Sequence, residues 1–426
     1  MNNVHFLYNY LSRSTFFFRR EVSKILAYHE YDEIKLLEKK NKEFLKLLHL
    51  AYQKSSFYKL HYDKHGVDIK QIKSIADMDK LPPISKEDIR LHTDKIKLPQ
   101  LSYTVKGHTS GTSGTPLTVY RNYSSVIKEN AYLWAHRMLF GHMPGMKAIS
   151  LRGDLDTKTR EKFDPFTNTL YLSSYQLNEK TIDWYFERIA EFEPHALYSY
   201  PSSVETLCNL FEAKKYQLNV GTIFTSSETV YDFQREKAYD ILGAPIVDWY
   251  GNAERTIALE QTKTGTYREA PLYSINEFYH DHLITTSLIN NIFPLIRYIV
   301  DDVIHLEPAS DNTLEIKDIQ GRKDDYLIFT DGTRVGRMSG TLKGIQHIKY
   351  TQFVQDELDC FVVNVVPAQG FSQEDEDLLR EKIKSKVGQV PFEIKKVNEN
   401  SILRTRAGKY KLIINNFSKR EVNVLV

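Results

Sequence analysis

Strand-like and helix-like segments alternate through the middle of the chain. Between residues 117 and 260, short apolar runs rich in β-branched and aromatic residues are separated by stretches with helical spacing. Alternation of this kind predicts an α/β body whose strands are mostly parallel. The predicted strands are 117–120, 148–151, 196–200, 222–225 and 245–249.

The N-terminal part has helical periodicity instead. Between residues 30 and 60, apolar residues recur at spacings of three, four and seven, which predicts one amphipathic helix within an N-terminal helical segment, 1–60. Further on, Ser85 precedes Asp88 by three positions, which predicts a capped helix start. The apolar positions of the first helix are Ile34, Leu37, Phe44, Leu48 and Ala51.

The pattern changes again after residue 280, where short strands replace the alternation. Asp331-Gly332 is a hairpin signal, and Ser372 and Gly388 are a cap and a stop for a helix between them. We therefore predict a large N-terminal domain, 1–320, and a small C-terminal α+β domain, 321–426. The elements predicted here are strands at 282–288, 295–300, 326–330, 360–366 and 392–397, and a helix at 373–386.

Composition narrows the class of protein. The 426 residues suggest two or three domains, and 57 basic against 55 acidic residues give a net charge of +2. Such a balance argues against a nucleic-acid partner, which needs a concentrated positive field. Cys208 and Cys360 are too few for a disulfide framework or a cysteine-rich zinc site. Both lie in apolar stretches, which predicts buried thiols and fits a reducing, cytoplasmic location.

The first 20 residues are unusually aromatic. No apolar run in the chain reaches the roughly 18–20 residues that cross a bilayer, and the N-terminus lacks a basic region before a clean apolar stretch. The segment suits an amphipathic helix packed on the main body, or one that touches a membrane surface. Membrane contact is therefore expected to be peripheral at most.

A glycine-rich segment at 106–116 carries the clearest chemistry. Glycines let the backbone approach a ligand, and hydroxyl groups and backbone N–H groups donate to anionic oxygens. The segment lacks the Gly-Lys-Ser/Thr ending of a Walker loop. On chemistry alone it suits a flexible surface turn as well as a phosphate loop. Its residues include Thr109, Ser110, Gly111, Thr112, Ser113, Gly114, Thr115 and Pro116.

At this point the chain resembles a known family. The 109–116 segment is similar to the phosphate loop of adenylate-forming enzymes, and the order of further motifs resembles the phenylacetate–CoA ligase-like branch with the CapK-type capsular-polysaccharide proteins. The resemblance implies a large adenylate-forming body with a small, mobile C-terminal domain. It also implies that Thr109, Ser110, Thr112 and Ser113 hold phosphates.

Four motifs of the large domain carry the resemblance further. The segment 198–203 is similar to the family's aromatic-Pro-Ser turn. Ser227 and Glu228 lie in a short motif that resembles the one beside the acyl and adenine pockets. The segment 250–254 resembles Tyr-Gly-x-Thr/Ser-Glu, and 297–302 resembles Arg-Tyr-x-x-Gly-Asp. The resemblance implies nucleotide-binding roles for Tyr250, Gly251, Asn252, Ala253, Glu254 and Asp302.

Individual roles follow from the same resemblance. Tyr250 packs on adenine, Glu254 holds Mg²⁺, and Asp302 accepts both ribose hydroxyls. An aromatic face suits a flat base, and a carboxylate suits a small divalent cation or a vicinal diol. At two positions the chain departs from the pattern. Ala253 replaces the hydroxyl residue that contacts the α-phosphate, for which Asn252 is a candidate substitute, and Asp301 replaces a glycine.

Two further motifs lie in the C-terminal domain. The segment 321–325 resembles the family's Gly-Arg-x-Asp-Asp hinge, which implies that Arg322 contacts ribose or phosphate and that Asp324 is the pivot. The segment 404–409 resembles Arg-Thr-x-x-Gly-Lys, which makes Lys409 the catalytic lysine, with Lys411 as the competing assignment. An ammonium group there offsets charge on the α-phosphate.

The function implied is an ATP-dependent carboxylic-acid ligase. It uses ATP and Mg²⁺ to form an acyl-adenylate from a small-molecule carboxylic acid. The acyl group then passes to an acceptor amine or thiol, either coenzyme A or the amine of a sugar or amino acid, in surface-polysaccharide biosynthesis. Ala253 and Asp301 leave open a catalytically impaired nucleotide-binding accessory protein of polysaccharide assembly, and the aromatic N-terminus leaves open a membrane-associated scaffold.

Overall fold

A computed structural model describes most of the chain. The described residues are 15–99, 104–108, 117–152, 155, 158–174, 176–228, 230, 232–279, 282–300, 302–308, 314–320, 326–330, 334–336, 338–342, 345, 347–368, 370–403 and 412–416. They divide into two compact units, one before and one after Gly321. No helix formed by these residues has both the length and the apolar character needed to span a membrane.

The helices of the first unit cluster near the N-terminus and between strands, and one long helix lies in the second unit. In chain order the α-helices of the described residues are α1 (Phe16–Tyr28), α2 (Glu33–Lys54), α3 (Ser56–Lys64), α4 (Lys86–Ile96), α5 (Tyr123–Leu139), α6 (Ile182–Phe192), α7 (Pro201–Lys214), α8 (Asp232–Leu242) and α9 (Gln373–Val387). Short 3₁₀ turns are found at Ile69–Gln71, Ile75–Lys80, Met338–Leu342 and Glu399–Ser401.

Strands are the other main class of element in the described chain. Those of the first unit are β1 (Thr104–His108), β2 (Thr118–Asn122), β3 (Ala148–Arg152), β4 (Glu161–Asp164), β5 (Thr169–Ser173), β6 (Ala196–Ser199), β7 (Thr222–Ser226), β8 (Ile246–Gly251), β9 (Ala258–Gln261), β10 (Tyr267–Glu269), β11 (Ser274–Phe278), β12 (Leu283–Ser287), β13 (Tyr298–Val300), β14 (Val303–Pro308) and β15 (Leu314–Gln320). Those of the second are β16 (Tyr326–Ile328), β17 (Arg334–Gly336), β18 (Ile348–Glu357), β19 (Cys360–Pro367), β20 (Phe392–Lys396) and β21 (Ile413–Asn415).

A large mixed sheet forms the centre of the first unit. Among the described residues it has ten strands, in the order β14, β15, β10, β9, β8, β7, β6, β3, β5, β4. The five strands from β8 to β5 in this order are parallel to one another, and the flanking strands are antiparallel. The predicted α/β body with mostly parallel central strands is confirmed. Apolar residues of the intervening helices, such as Tyr185 and Phe211, share a core with Leu197 and Ile223.

A second core joins the N-terminal helices to a three-stranded sheet of order β11, β12, β13. Phe44 on α2, Tyr58 on α3 and Ile89 on α4 lie in one cluster with Tyr298 on β13. The hydroxyl of Tyr58 donates to the carbonyl of Pro294 at 3.0 Å. Because Tyr58 is wholly buried, this bond satisfies a polar tip that burial would otherwise penalise.

The second unit is a small α+β fold. Its described strands form a four-stranded sheet of order β20, β19, β18, β21, and the pair β16 and β17 forms an antiparallel ribbon. Helix α9 begins at a capping box formed by Ser372 and Asp375 and ends at Gly388, whose φ is 70°. Leu379 and Ile383 of this helix pack against the sheet.

Three sequence predictions were wrong in detail. The single helix at 30–60 is two helices, because Ser55 is extended, caps α3 through Tyr58 N and donates to the Lys95 carbonyl at 2.7 Å. Ile34 and Leu37 are 73% and 53% exposed, so they are not part of the core face. Cys208 is buried, and burial raises its pKa to about 12, but Cys360 is only partly buried.

Helix α1 is attached to the central sheet by a buried polar contact. Nε2 of His29 lies 2.8 Å from a carboxylate oxygen of Glu260 on β9, and Arg268 Nε lies 3.2 Å from the same oxygen. Glu260 is completely buried. Phe18 and Ile25 of α1 pack beside this contact against α5.

We expect His29→Ala to lower the free energy of unfolding of the first unit by about 1–3 kcal/mol, because a buried carboxylate loses a hydrogen-bond partner. Urea unfolding followed by tryptophan fluorescence measures this unit alone, since Trp134, Trp184 and Trp249 all lie in it. The control is Lys24→Ala, which removes an exposed ion pair with Glu21 and should cost under about 1 kcal/mol. Equal losses in the two variants would show that the His29 contact is not stabilising.

Candidate active site

The carboxyl ends of the parallel strands lie along one edge of the large sheet. Ser199 at the end of β6 is in register with Thr225, and Ser226 at the end of β7 is in register with Trp249 on β8. The loops that follow these strands therefore begin side by side. Crevices outside such carboxyl ends are the usual ligand sites of parallel α/β sheets. Four of the predicted motifs lie on these loops or next to them.

Tyr250 and Asp302 are brought together at this edge. The Tyr250 hydroxyl, at the end of β8, donates to Oδ2 of Asp302 at 2.6 Å. Asp302 lies between β13 and β14, 52 residues further along the chain. The bond to a charged acceptor fixes the plane of the tyrosine ring and the direction of the carboxylate. Both residues are partly exposed, so both can reach a ligand.

The loop after β8 is closed by its own side chains. Asn252 accepts from Thr256 N at 2.9 Å and donates to the Thr256 hydroxyl at 2.7 Å. A Cβ at Gly251 would lie 3.2 Å from the Trp249 indole nitrogen and 3.3 Å from the Ile257 carbonyl oxygen, so the loop turns where a side chain is poorly tolerated. The Asn252 side chain therefore stabilises the loop through Thr256. Ala253 beside it is exposed.

Glu254 points into the protein from this loop. Only 8% of the residue is exposed, and its Oε1 accepts from the Tyr298 hydroxyl at 3.0 Å. Tyr298 lies on β13, in the other sheet, 44 residues away. A buried carboxylate held by one neutral donor keeps coordination capacity for a cation or a further donor. The described residues contain no group of three or more His, Cys, Asp or Glu that could hold a metal ion.

Tyr298 is itself positioned by a strap, the segment 79–84. Backbone bonds of 2.9 Å join Ile84 N to the Arg297 carbonyl and Ile299 N to the Ile84 carbonyl. The Arg297 guanidinium donates to both oxygens of Glu277 at 2.9 and 2.7 Å and to the Leu81 carbonyl. The proline-containing segment 81–84 thus lies against β13 and fixes the strand that carries Tyr298.

A buried carboxylate supports the end of β8. Asp248 accepts from the Thr225 hydroxyl at 2.6 Å and from the Tyr267 hydroxyl at 2.8 Å. It is 4% exposed, and burial raises its pKa despite these bonds. The network ties β7, β8 and β10 together two residues before Tyr250.

Ser227 and Glu228 follow β7, at the same edge as Tyr250. Ser227 is exposed and has a φ of 73°, a left-handed conformation that is uncommon for serine. Its hydroxyl lies 3.4 Å from that of Ser226. Glu228 is partly exposed. The remaining predicted site residues lie outside the described residues: Thr109, Ser110, Gly111, Thr112, Ser113, Gly114, Thr115, Arg322, Asp324 and Lys409.

Sequence reasoning missed three residues beside the predicted ones. Tyr298 was part of a motif but had no assigned role. Arg121 on β2 donates through Nη2 to the carbonyl of Ala253, and Arg255 directly follows Glu254. The one local signal for Arg121 is its position, an arginine in the strand that follows the glycine-rich segment.

Tyr298→Phe should lower the free energy of unfolding of the first unit by about 1.5–3 kcal/mol, because Glu254 stays buried without its hydroxyl donor. The matched control is Tyr279→Phe, whose exposed hydroxyl lies 3.3 Å from Glu277 and whose loss should cost about 0.5 kcal/mol or less. Urea titration with tryptophan fluorescence gives both values. If Tyr298→Phe is as stable as the control, the Tyr298 hydroxyl does not hold Glu254.

Comparison with known proteins shows which families the chain is similar to. Residues 327–416 match the family of CapK C-terminal domains. Protein CapK of Staphylococcus aureus is 25% identical over 366 residues, covering 79% of this chain and 81% of that protein. Phenylacetate-coenzyme A ligase of Escherichia coli K12 is 26% identical over 322 residues, covering 66% of this chain and 69% of that protein.

The fold is also that of solved acid–CoA ligases. Two crystal structures of 2-hydroxyisobutyryl-CoA ligase, in the post-adenylation and the thioesterification state, match with TM-scores of 0.58 and 0.59. Each match covers 93% of both chains at 16% identity, a level at which the likeness concerns the fold alone. The resemblance predicted from the motifs is confirmed: residues 327–416 match the CapK C-terminal domain, and the chain is similar to protein CapK and has the fold of adenylate-forming acid–CoA ligases.

Proposed function

We propose that this protein is an ATP-dependent carboxylic-acid ligase that forms an acyl-adenylate and passes the acyl group to an acceptor. One observation carries the proposal. Tyr250 and Asp302, from two separate motifs, meet at the carboxyl edge of the parallel strands through a 2.6 Å hydrogen bond, and Glu254 is held four residues after Tyr250. These are the groups expected to contact adenine, ribose and Mg²⁺. The adenylate-forming fold supports the same assignment.

The described residues have suitable chemistry for ATP. The ring of Tyr250 offers a face to adenine, and the Asp302 carboxylate accepts from the two ribose hydroxyls. Glu254 would supply one hard oxygen ligand to Mg²⁺, with its other oxygen held by Tyr298. Mg²⁺, when bound, offsets charge on the phosphates. Ser227 and Glu228 are the proposed neighbours of the acyl and adenine pockets.

Further roles rest on the sequence motifs. We assign the phosphates to residues 109–115, the ribose to Arg322 and the catalytic ammonium group to Lys409. As the acid attacks the α-phosphate, the Lys409 ammonium offsets the charge that develops and pyrophosphate leaves. The C-terminal domain, 321–426, turns about Asp324 between adenylation and transfer. The proposed location is the cytoplasm and the proposed pathway is surface-polysaccharide biosynthesis, as the likeness to CapK suggests.

ATP–pyrophosphate exchange tests the first half-reaction. Wild-type protein incubated with ATP, Mg²⁺, labelled pyrophosphate and a panel of aryl, amino, hydroxy and uronic acids should incorporate label with at least one acid. Lys409→Ala should lower this rate by about a hundred- to a thousandfold, because one preorganised donor to a developing charge is lost. Lys411→Ala is the matched control and should retain activity within about twofold.

The outcomes distinguish a ligase from a nucleotide-binding accessory protein. If no acid supports exchange while ATP still binds, the protein is a nucleotide-binding accessory protein rather than a ligase. If Lys411→Ala loses activity and Lys409→Ala does not, the assignment of the lysine is wrong but the reaction stands.

The acceptor is tested by the product. The similar phenylacetate-coenzyme A ligase has a thiol acceptor by its name. The alternative, an amine of a sugar or amino acid, rests on the resemblance of the sequence motifs to those of capsular-polysaccharide proteins. With the acid found above, hydroxylamine should trap a hydroxamate without coenzyme A, because the adenylate forms before the acceptor binds. Mass spectrometry with coenzyme A or with amino sugars and amino acids then identifies the acceptor. A requirement for the acceptor before any hydroxamate appears would contradict a two-step reaction.

A further inference from the structure

Two arginines lie beside the loop of Ala253 and Glu254, and the chemistry described so far uses neither. Arg121 extends from β2, and its Nη2 donates to the Ala253 carbonyl. Arg255 follows Glu254 with a φ of 58°, and its carbonyl accepts from the Ser287 hydroxyl at 2.9 Å. Both belong to the first unit. Ala253 itself has no side-chain donor, so these guanidinium groups are the cationic donors of the loop.

Among the described residues, no carboxylate forms an ion pair with Arg121, and the one that reaches Arg255 is shared with another donor. Glu129 lies 3.9 Å from Arg255 Nε, and the same Glu129 oxygen already accepts from the Tyr273 hydroxyl at 2.5 Å. Within the described part of the chain, Arg121 forms no ion pair. Burial, with the charge of Arg255 next, lowers the pKa of Arg121 to about 10, although the carboxylates of Glu129 and Glu254 act in the opposite direction. Binding of a further anion would relieve the repulsion between the two like charges.

Both guanidinium groups also have hydrogen-bond donors without an acceptor. Arg121 Nε and Arg255 Nη1 are buried and have no hydrogen-bond acceptor among the described residues. Leaving a buried donor unpaired is costly, and the fork of a guanidinium group matches the oxygens of a phosphate. The side chain of Arg255 is 19% exposed, so the pair is not sealed from a ligand.

Gly107 indicates that the position of Arg121 is specified. A Cβ at residue 107 would lie 2.6 Å from Arg121 Cζ and 2.7 Å from both terminal nitrogens. The guanidinium group therefore covers the backbone of Gly107, at the end of β1 and just before the glycine-rich segment in the sequence. A side chain at 107 would push the group away from Ala253.

We propose that Arg121 and Arg255 form a phosphate-binding subsite that holds the anionic oxygens of ATP and of the pyrophosphate released from it. This inference rests on the proposed function, since it supplies the leaving group of that reaction with a binding site. Arg121 and Arg255 bind from the side of Ala253, next to the carboxylate that would hold Mg²⁺. The proposed contacts of adenine and ribose are with Tyr250 and Asp302, and neither of these uses the arginines.

Binding of inorganic pyrophosphate with Mg²⁺, measured by titration calorimetry on the full chain, tests the subsite. Arg121→Gln and Arg255→Gln should each weaken pyrophosphate about ten- to a hundredfold, the loss expected for a hydrogen bond to a charged group. Affinity for adenosine, which has no phosphate, should stay within about twofold. Arg188→Gln is the control and should change neither, since Arg188 pairs with Glu161 and Glu191 on the surface of α6.

Gly107→Ala provides a second route that keeps both charges. It should weaken pyrophosphate by moving the Arg121 guanidinium, and adenosine should bind as before. Circular dichroism and thermal melting identify any variant that fails to fold. If Arg121→Gln does not fold, the pyrophosphate affinity of Gly107→Ala tests the role of Arg121 in its place.

Unchanged pyrophosphate affinity in folded Arg121→Gln and Arg255→Gln would overturn the subsite, and so would a loss confined to the carboxylic acid. Wild-type protein that does not bind pyrophosphate would overturn it too. Failure of ATP–pyrophosphate exchange in a wild type whose pyrophosphate binding does depend on the arginines would overturn the proposed reaction and leave the subsite standing.

Discussion

The ion pair between buried Arg297 and partly buried Glu277 is the contact on which the arrangement of the site depends. Two parallel hydrogen bonds join the groups, and a third reaches the carbonyl of Leu81. The pair links the residue before β13 to β11, which lies two strands away in the sheet, and the bond to Leu81 holds the strap 79–84 beside β13. Tyr298, which holds Glu254, follows Arg297 directly as the first residue of β13. Loss of Glu277 would leave the buried charge of Arg297 unpaired, so the position of Tyr298 depends on the pair.

Local signals made much of the fold predictable. Helix α9 begins and ends where Ser372 and Gly388 indicated, because caps and glycine stops act within a few residues. Four of the five parallel strands lie within about two residues of their predicted positions, since apolar runs mark them directly, and β5 was not predicted. Periodicity could not predict the break at Ser55, because a serine can also occupy a helix interior. The break depends on the hydrogen bond from the Ser55 hydroxyl to the Lys95 carbonyl, which is distant in the sequence.

The candidate site was predictable in its residues but not in its contacts. Tyr250, Glu254 and Asp302 follow from motifs that are contiguous in sequence. The bond from Tyr250 to Asp302 and the bond from Tyr298 to Glu254 span 52 and 44 residues, and Arg121 meets Ala253 over 132. Such pairings depend on the order and direction of the strands in the sheet, which no local pattern specifies. The strand direction, for example, changes from parallel to antiparallel between β8 and β9.

Asp248 gives the folded chain an affinity for a proton. Burial raises its pKa above the value of about 3.9 for an unfolded chain. Folding therefore takes up protons at this position in mildly acidic solution. Its contribution to stability is greatest below the unfolded pKa and is lost as the pH rises through the folded pKa. The partly exposed carboxylate of Asp77, whose pKa is lowered by Lys80, acts in the opposite direction. Acid therefore favours the folded state at Asp248, on the strand that carries Tyr250, and disfavours it at Asp77.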